Sequence, residues 1–373
     1  MLNVSIDISR VDQSIKEIVT KIINEIRINN KEALKILNEA PNSLLFLLAN
    51  AKREKINQNN TFFNKNIHIE PTNICVFDCK FCSYSRLLKE KSKAWEHSID
   101  DMVKMVEKYD EDEITEVHIV GGVHPKMGLN YFIELIKKIK KIRPNIHIKA
   151  FTAVELEYMC RKAKVSYKKG LQMLHKAGQN SLPGGGAEIF DKKIRDIICK
   201  DKCTSEQWLD IHKSAHEIGM QSNATILYGH IEEPKHIIDH MSRIRDLQDI
   251  TEGFNAFIPL KYRNGNNQMS HLKEVSIIED IRMYSIARIF FDNIKHIKAY
   301  WPMIGKETTQ SLLSFGVDDI DGTIDDSTKI YSMAGVEDQN PTMSTNEITS
   351  LIKSVKRKPI ERDSIYNQLR VYE

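Results

Sequence analysis

Three cysteines in the run Cys75-Val76-Phe77-Asp78-Cys79-Lys80-Phe81-Cys82 constrain this chain more than any other feature. In a Cys-x3-Cys-x2-Cys spacing the three thiolates can hold three irons of a [4Fe–4S] cube. The fourth iron is then left without a protein ligand and is open to a substrate. The alternative is zinc, because Cys-x2-Cys is common in structural zinc domains. A closed zinc site needs a fourth ligand at short range, and no Cys or His follows Cys82 until His97. The spacing therefore favours a cluster with an open iron.

Cys160, Cys199 and Cys203 form no compact second triplet and are read as free thiols, with a second cluster as the alternative. With 41% hydrophobic and 28% charged residues the chain reads as an ordinary soluble globular protein. Its net charge of +3 gives no electrostatic argument for a nucleic-acid partner. Lysine runs such as Lys137–Lys141 alternate with apolar residues at helical spacing, as on a solvated helix face. No secretory segment is visible, and the apolar run Leu44–Ala49 is far shorter than the roughly 20 residues of a membrane span. A cytoplasmic location is expected, where thiols stay reduced and an oxygen-sensitive cluster survives.

Residues 1–60 read as a helical extension. Ile15, Ile18, Val19, Ile22, Ile23 and Ile26 make one apolar stripe, and further helices are expected over 31–37 and from Asn42-Ser43 to about Lys55. From residue 61 to 373 short apolar runs alternate with amphipathic segments. Strands are expected at 67–69, 116–120, 146–151, 179–182, 221–227, 253–258, 296–300 and 317–320, each followed by helical sequence. Eight such units imply a complete (β/α)8 TIM-type barrel with a C-terminal helical segment. The cysteine loop follows the first strand, and sites in such barrels sit at the carboxyl ends of the strands. Three consecutive glycines in Ser181-Leu182-Pro183-Gly184-Gly185-Gly186-Ala187-Glu188 leave backbone amides exposed to an anion. Arg288 is read as structural, and Asp318, Asp319 and Asp321 as turn residues rather than metal ligands.

The cysteine run, with Phe81 just before its last cysteine, resembles the radical S-adenosylmethionine (SAM) superfamily. That resemblance implies Cys75, Cys79 and Cys82 as ligands of a [4Fe–4S] cluster whose open iron chelates SAM. Gly121-Gly122-Val123 resembles the superfamily's Gly-Gly-Glu, without its acid, and implies backbone contacts to the methionine amino group. Thr225–Glu232 is similar to an adenine-bordering element in which Gly229 and Glu232 match, while Thr225 and Leu227 depart. Phe81, Leu227 and Ile258 are implied around the adenine. Glu188 is implied at the ribose or amino group, and Arg195 at the SAM carboxylate, with a salt bridge to Glu188 or Asp191 as its other role.

A narrower resemblance joins His68–Cys75, Ser181–Phe190, Tyr228–Glu232 and Glu361-Arg362-Asp363 to the futalosine-pathway enzymes, over nearly the whole chain from about residue 30. Lys149-Ala150-Phe151-Thr152-Ala153-Val154-Glu155, Gly122–Pro125 and Lys298-Ala299-Tyr300-Trp301 resemble the aminofutalosine synthases. Dehypoxanthine futalosine cyclases and deazaflavin enzymes tend to have His-Ala-Phe-Ser-Pro-x-Glu on the third strand. The synthase resemblance implies a C–C bond-forming transferase of menaquinone biosynthesis, with SAM consumed as co-substrate. The 5′-deoxyadenosyl radical adds to the enol ether of 3-[(1-carboxyvinyl)oxy]benzoate, the aryl group migrates and a carboxylate is lost, giving 6-amino-6-deoxyfutalosine. An external one-electron reductant such as flavodoxin or ferredoxin is implied. For that dicarboxylate, His124, Lys149 and Arg263 are candidate cationic contacts, and Thr152, Asn180, Ser181 and Tyr300 candidate hydrogen-bonding ones. Whether Lys149 points into the barrel depends on strand parity, which the sequence leaves open. The cyclase is the alternative enzyme, and an iron–sulfur electron carrier or sensor the alternative from another class.

Overall fold

The computed structural model describes all residues except 1, 3–7, 9, 10, 90–92, 112, 326–328 and 337–340. Twelve strands are described: β1 (Asn60–Phe63), β2 (Asn66–Ile69), β3 (Glu116–Ile119), β4 (His147–Ala150), β5 (Ser181–Leu182), β6 (Gln221–Tyr228), β7 (Phe254–Lys261), β8 (His296–Ala299), β9 (Asp319–Ile320), β10 (Thr323–Asp325), β11 (Lys358–Arg362) and β12 (Gln368–Val371). They form one curled sheet in the order β10-β2-β3-β4-β5-β6-β7-β8-β9-β1-β11-β12. Every pairing is parallel except β11 with β12.

Only Asp321 and Gly322 separate β9 from β10, so the order bends back on itself. β9 pairs with β8 and with β1, while β10 pairs with β2 through Thr323↔Asn66. Taken as one interrupted strand each, β1–β2 and β9–β10 are the first and eighth positions of a ring. That is the (β/α)8 architecture expected from the alternation of elements. The interruption of the eighth strand was not expected, and neither was the end of the chain. The C-terminal segment is a helix, Thr345–Ser354, followed by β11 and β12, which extend the sheet outward from β1.

The amino-terminal region forms helices Gln13–Ile23, Asn30–Glu39 and Asn42–Asn57. The first buries Ile15, Ile18, Val19 and Ile22, but ends before Ile26, which is 55% exposed beyond Glu25 at φ +59°. The second and third pack against helices Pro234–Thr251 and Ile277–Phe290, and so cover one flank of the barrel. Arg53, fully buried, fixes the third helix by donating to the carbonyls of Gln58, Asn60 and Val317. No helix among the described residues is long and apolar enough to cross a membrane.

The aspartates around the eighth strand do more than shape a turn. Asp318 accepts from Arg288 and from Ile297 N (2.9 Å) and meets His296 Nδ1 at 2.6 Å. Asp319 accepts from Arg362 and Tyr366, and Asp321 from Lys298, so each acid binds a different cation. Removing one partner of such a buried pair strands the other charge. Asp318→Ala is therefore expected to lower stability by roughly 3–5 kcal/mol, read from urea unfolding against the parent chain.

Candidate active site

The cysteine loop leaves β2 and is braced from within. Thr72 Oγ1 donates to Trp95 O (2.7 Å) and accepts from Ile74 N (3.0 Å), while Asn73 bonds Lys93 O and Trp95 N. It lies directly on the turn after β3: a Cβ on Gly121 would sit 2.8 Å from Thr72 O, and one on Gly122 only 2.4 Å from Ile74 O. Gly122 N donates to Thr72 O (2.7 Å) and Val76 N to Val123 O (3.0 Å). The two glycines are thus the surface on which the cysteine loop rests.

Cys75, Cys79 and Cys82 line one wall of a cavity at the carboxyl ends of the strands. Backbone N–H groups of Phe77 and Val123 donate to Cys75 Sγ, and that of Ser85 to Cys82 Sγ, each at 3.4 Å. Burial pushes the Cys75 thiol up and the Cys79 thiol well up, so a bare thiolate is disfavoured there. Soft sulfur donors met by backbone amides fit an iron–sulfur cluster, whose positive irons would supply the compensation that burial removes. Among the described residues, no group of three His, Cys, Asp or Glu side chains converges on a single ion.

The opposite wall is the glycine run. Gly184 backs onto β6, where a Cβ would lie 2.7 Å from Asn223 O, and Thr225 Oγ1 donates to Gly184 O (2.7 Å). Gly186 takes φ +85°, a conformation that favours glycine. Lys202 reaches the cavity beside the cysteines, with Nζ 2.6 Å from Glu188 Oε1 and 5.1 Å from the Phe81 ring centre. Ile258 and Leu260 of β7 supply an apolar side.

The floor of the cavity is charged. Lys149 Nζ lies 2.6 Å from Glu116 Oε2, and Lys298 Nζ 2.8 Å from Asp321 Oδ1. Burial would raise both acids. Lys149 instead holds Glu116 well below the usual carboxylate range, and Lys298 with His68 holds Asp321 down to about 2. Burial also holds His118 neutral, and among the described residues its Nε2, like Asn66 Oδ1, lacks a hydrogen-bond partner. Above the floor, Thr152 caps helix Ala153–Ala163 in a reciprocal box with Glu155, whose carboxyl burial pushes up to about 7.

Of the residues expected from sequence, Cys75, Cys79, Cys82, Gly121, Gly122, Lys149, Thr152, Ile258 and Tyr300 line this one cavity. Lys149 therefore points inward. Phe81 and Glu188 stand behind Lys202. The others lie elsewhere. Arg195 donates to the carbonyls of Ala187, Ile189 and Cys203, and pairs with neither Glu188 nor Asp191; a buried guanidinium so occupied is not free for a carboxylate. Glu232 accepts from the amides of Gly229 and His230, and Leu227 N donates to Glu188 O. His124 Nε2 sits 3.1 Å from Glu96, Arg263 Nη1 3.1 Å from Glu274, Ser181 Oγ 2.7 Å from His147, and Asn180 Oδ1 accepts from Ile148 N. The three remaining cysteines, Cys160, Cys199 and Cys203, are buried free thiols.

Sequence reasoning missed Glu116, Glu155, Lys202, Lys298 and Asp321 as cavity residues. Two signals were present: Thr152-x-x-Glu155 is a capping box, and Lys298 shares its strand face with Tyr300 two residues on.

Comparison with known proteins agrees with this geometry. Residues 69–244 match the model of the radical SAM superfamily, and residues 251–373 that of the CofH/MqnC C-terminal region. The chain is 36% identical to the aminodeoxyfutalosine synthase of Thermus thermophilus, over 97% of this chain and 98% of that one. It is 35% identical to the cyclic dehypoxanthine futalosine synthase of Streptomyces coelicolor, over 93% and 87% respectively. Among solved structures, the hydrogenase maturase HydG of Carboxydothermus hydrogenoformans shares the fold, with a TM-score of 0.74 at 16% identity over 95% of this chain and 81% of that one.

Because the cysteine loop rests on backbone at Gly122, Gly122→Ala should cost about 1–3 kcal/mol and displace the loop. Anaerobically purified variant is expected to carry less iron and sulfide per chain than the parent, at unchanged far-ultraviolet circular dichroism.

Proposed function

The chain belongs to the radical SAM superfamily, which implies a [4Fe–4S] cluster, SAM, a small-molecule substrate and an external reductant, and we propose that it is an aminofutalosine synthase of menaquinone biosynthesis. When bound, the cluster supplies the single electron that cleaves SAM. In this reading Cys75, Cys79 and Cys82 are its protein ligands, and Phe81 and Lys202 close the wall behind them. The reaction joins the 5′-deoxyadenosyl group to the enol-ether carbon of 3-[(1-carboxyvinyl)oxy]benzoate. Aryl migration and loss of one carboxylate follow, and an electron returns, leaving 6-amino-6-deoxyfutalosine.

The observation that carries the proposal is the placement of Lys149. It heads the stretch Lys149–Glu155 that resembles the synthases, and its ammonium faces the cavity where cyclase-like relatives tend to have histidine. A substrate with two carboxylates needs hydrogen-bond donors in a dry pocket. Lys149 and Lys298 supply charged ones, and Thr152 and Tyr300 neutral ones. Free thiols throughout the described chain suit a reducing compartment, and a cytoplasmic enzyme fits a flavodoxin or ferredoxin as reductant.

The similarity to a cyclic dehypoxanthine futalosine synthase supports ring closure as the second reading. Product mass separates the two. Incubated with SAM, a reductant and the enol-ether benzoate, the protein should yield a product that contains the adenosyl moiety. Release of stoichiometric free 5′-deoxyadenosine without adduct would favour the cyclase, and no SAM cleavage at all would leave only an electron carrier. Replacing any of Cys75, Cys79 or Cys82 by Ala should abolish turnover and the broad visible absorbance; retained turnover in such a variant would refute the ligand assignment.

A further inference from the structure

A barrel of this kind normally fills its centre with layers of branched apolar side chains. Here the layers on one side are polar. Asn66 and His68 of β2, Glu116 and His118 of β3, Lys149 of β4 and Lys298 of β8 all line the cavity. The register of β2, β3 and β4 sets His68, His118 and Lys149 side by side at one height. The charged groups have partners: Lys149 pairs with Glu116 at 2.6 Å and Lys298 with Asp321 at 2.8 Å. Asn66 Nδ2 also donates to Asp321 Oδ1 (3.1 Å). His118 Nε2, by contrast, is buried with no hydrogen-bond partner among the described residues. Burial keeps the ring uncharged, so it brings one N–H to the cavity rather than a charge.

A buried ring nitrogen left unmet is costly, and in a cavity wall a ligand can supply its partner. The surroundings suit an anionic one. Lys149 is the register neighbour of His118 on β4, Lys298 faces the same cavity, and the acids beside them are each held by a lysine. Asn66 Oδ1, the other unmet atom of the floor, only accepts and takes no part in holding an anion. Height along the strand then decides which end of the ligand arrives. Alternate residues of β3 climb the cavity from Glu116 and His118 to Val120, and then to Gly122 under the cysteine loop. In the proposed reaction the new bond forms at the enol-ether carbon, which belongs toward the cysteine wall. The aryl carboxylate, at the other end of the substrate, then points to the floor. We infer that His118 donates from Nε2 to the aryl carboxylate of the second substrate, beside Lys149, and so fixes which end of it faces down. His118 binds and orients in this role and moves no proton. The inference rests on the synthase reading of the site.

The competing role for His118 is structural, with an ordered water as the partner of Nε2. Cluster-loaded protein is saturated with SAM and titrated anaerobically by equilibrium dialysis, with no reductant, so that nothing turns over. Two ligands are compared: 3-[(1-carboxyvinyl)oxy]benzoate and the analogue with hydrogen in place of the aryl carboxylate. His118→Phe keeps a ring and removes the N–H. It is expected to weaken binding of the dicarboxylate by about tenfold or more, and binding of the analogue by less than twofold. His118→Gln, which returns an N–H on an uncharged side chain, should recover part of the preference for the dicarboxylate. His118→Ala gives the same comparison if the Phe variant does not fold. Equal losses for both ligands, or no loss for the dicarboxylate, would overturn the assignment and leave His118 to a water. Equal binding of the two ligands by the parent chain would overturn it as well. In each of those cases an adenosyl adduct formed by the parent would leave the synthase reading standing. A parent chain that binds neither ligand and forms no adduct would remove that reading and the inference together.

Discussion

Everything at the top of this barrel depends on how the ring is closed. The first and eighth strands are each interrupted, and they meet where β10 pairs with β2 and β9 with β1. Asp321 sits at that break, accepting from Asn66, Lys298 and its neighbour Gly322 N. Fully buried and held well ionised by Lys298 and His68, it ties the first, seventh and eighth strands together inside the ring. The cysteine loop springs from the first of those strands, four residues beyond Asn66 along the backbone to Glu70. The closure that completes the fold therefore also sets the height at which the three thiols stand.

Above that floor the cavity is organised by charge. Two acid–lysine pairs keep the lower part electrically balanced while leaving lysine donors within reach of an anionic ligand. The pair Lys202–Glu188 does the same on the side of the cysteines. Glu155 breaks this pattern, with two backbone amides and a hydroxyl in place of a cation. The glycines serve the same end by different means. Gly121 and Gly122 let two backbones touch under the cysteine loop, and Gly184 lets the opposite loop lie flat on β6.

Much of this was legible in the chain. The cysteine spacing, the strand–helix alternation and the glycine pair are local patterns whose chemistry follows from residue type and distance along the sequence. The charged residues were less legible, because an arginine or histidine can be read as a ligand only when nothing nearer takes its hydrogen bonds. Arg195 looked like an anion receptor and is satisfied by three carbonyls. Arg263 and His124 pair instead with Glu274 and Glu96, partners distant in any helical or strand register. Asp318, Asp319 and Asp321, close along the chain, go to three separate cations. Glu155 was visible as a helix cap, but its place on the cavity wall was not.

By itself the sequence determined the superfamily, the barrel and the place of the cysteine loop after its first strand, since each rests on short-range spacing that survives any arrangement of the remainder. Tertiary structure decided which polar side chains are free to meet a ligand. That is a property of burial and of partners supplied by other strands, and Lys149 illustrates it. Its strand parity could be argued either way from the chain, and only packing against β3, which brings Glu116 to 2.6 Å, turns it into the cavity.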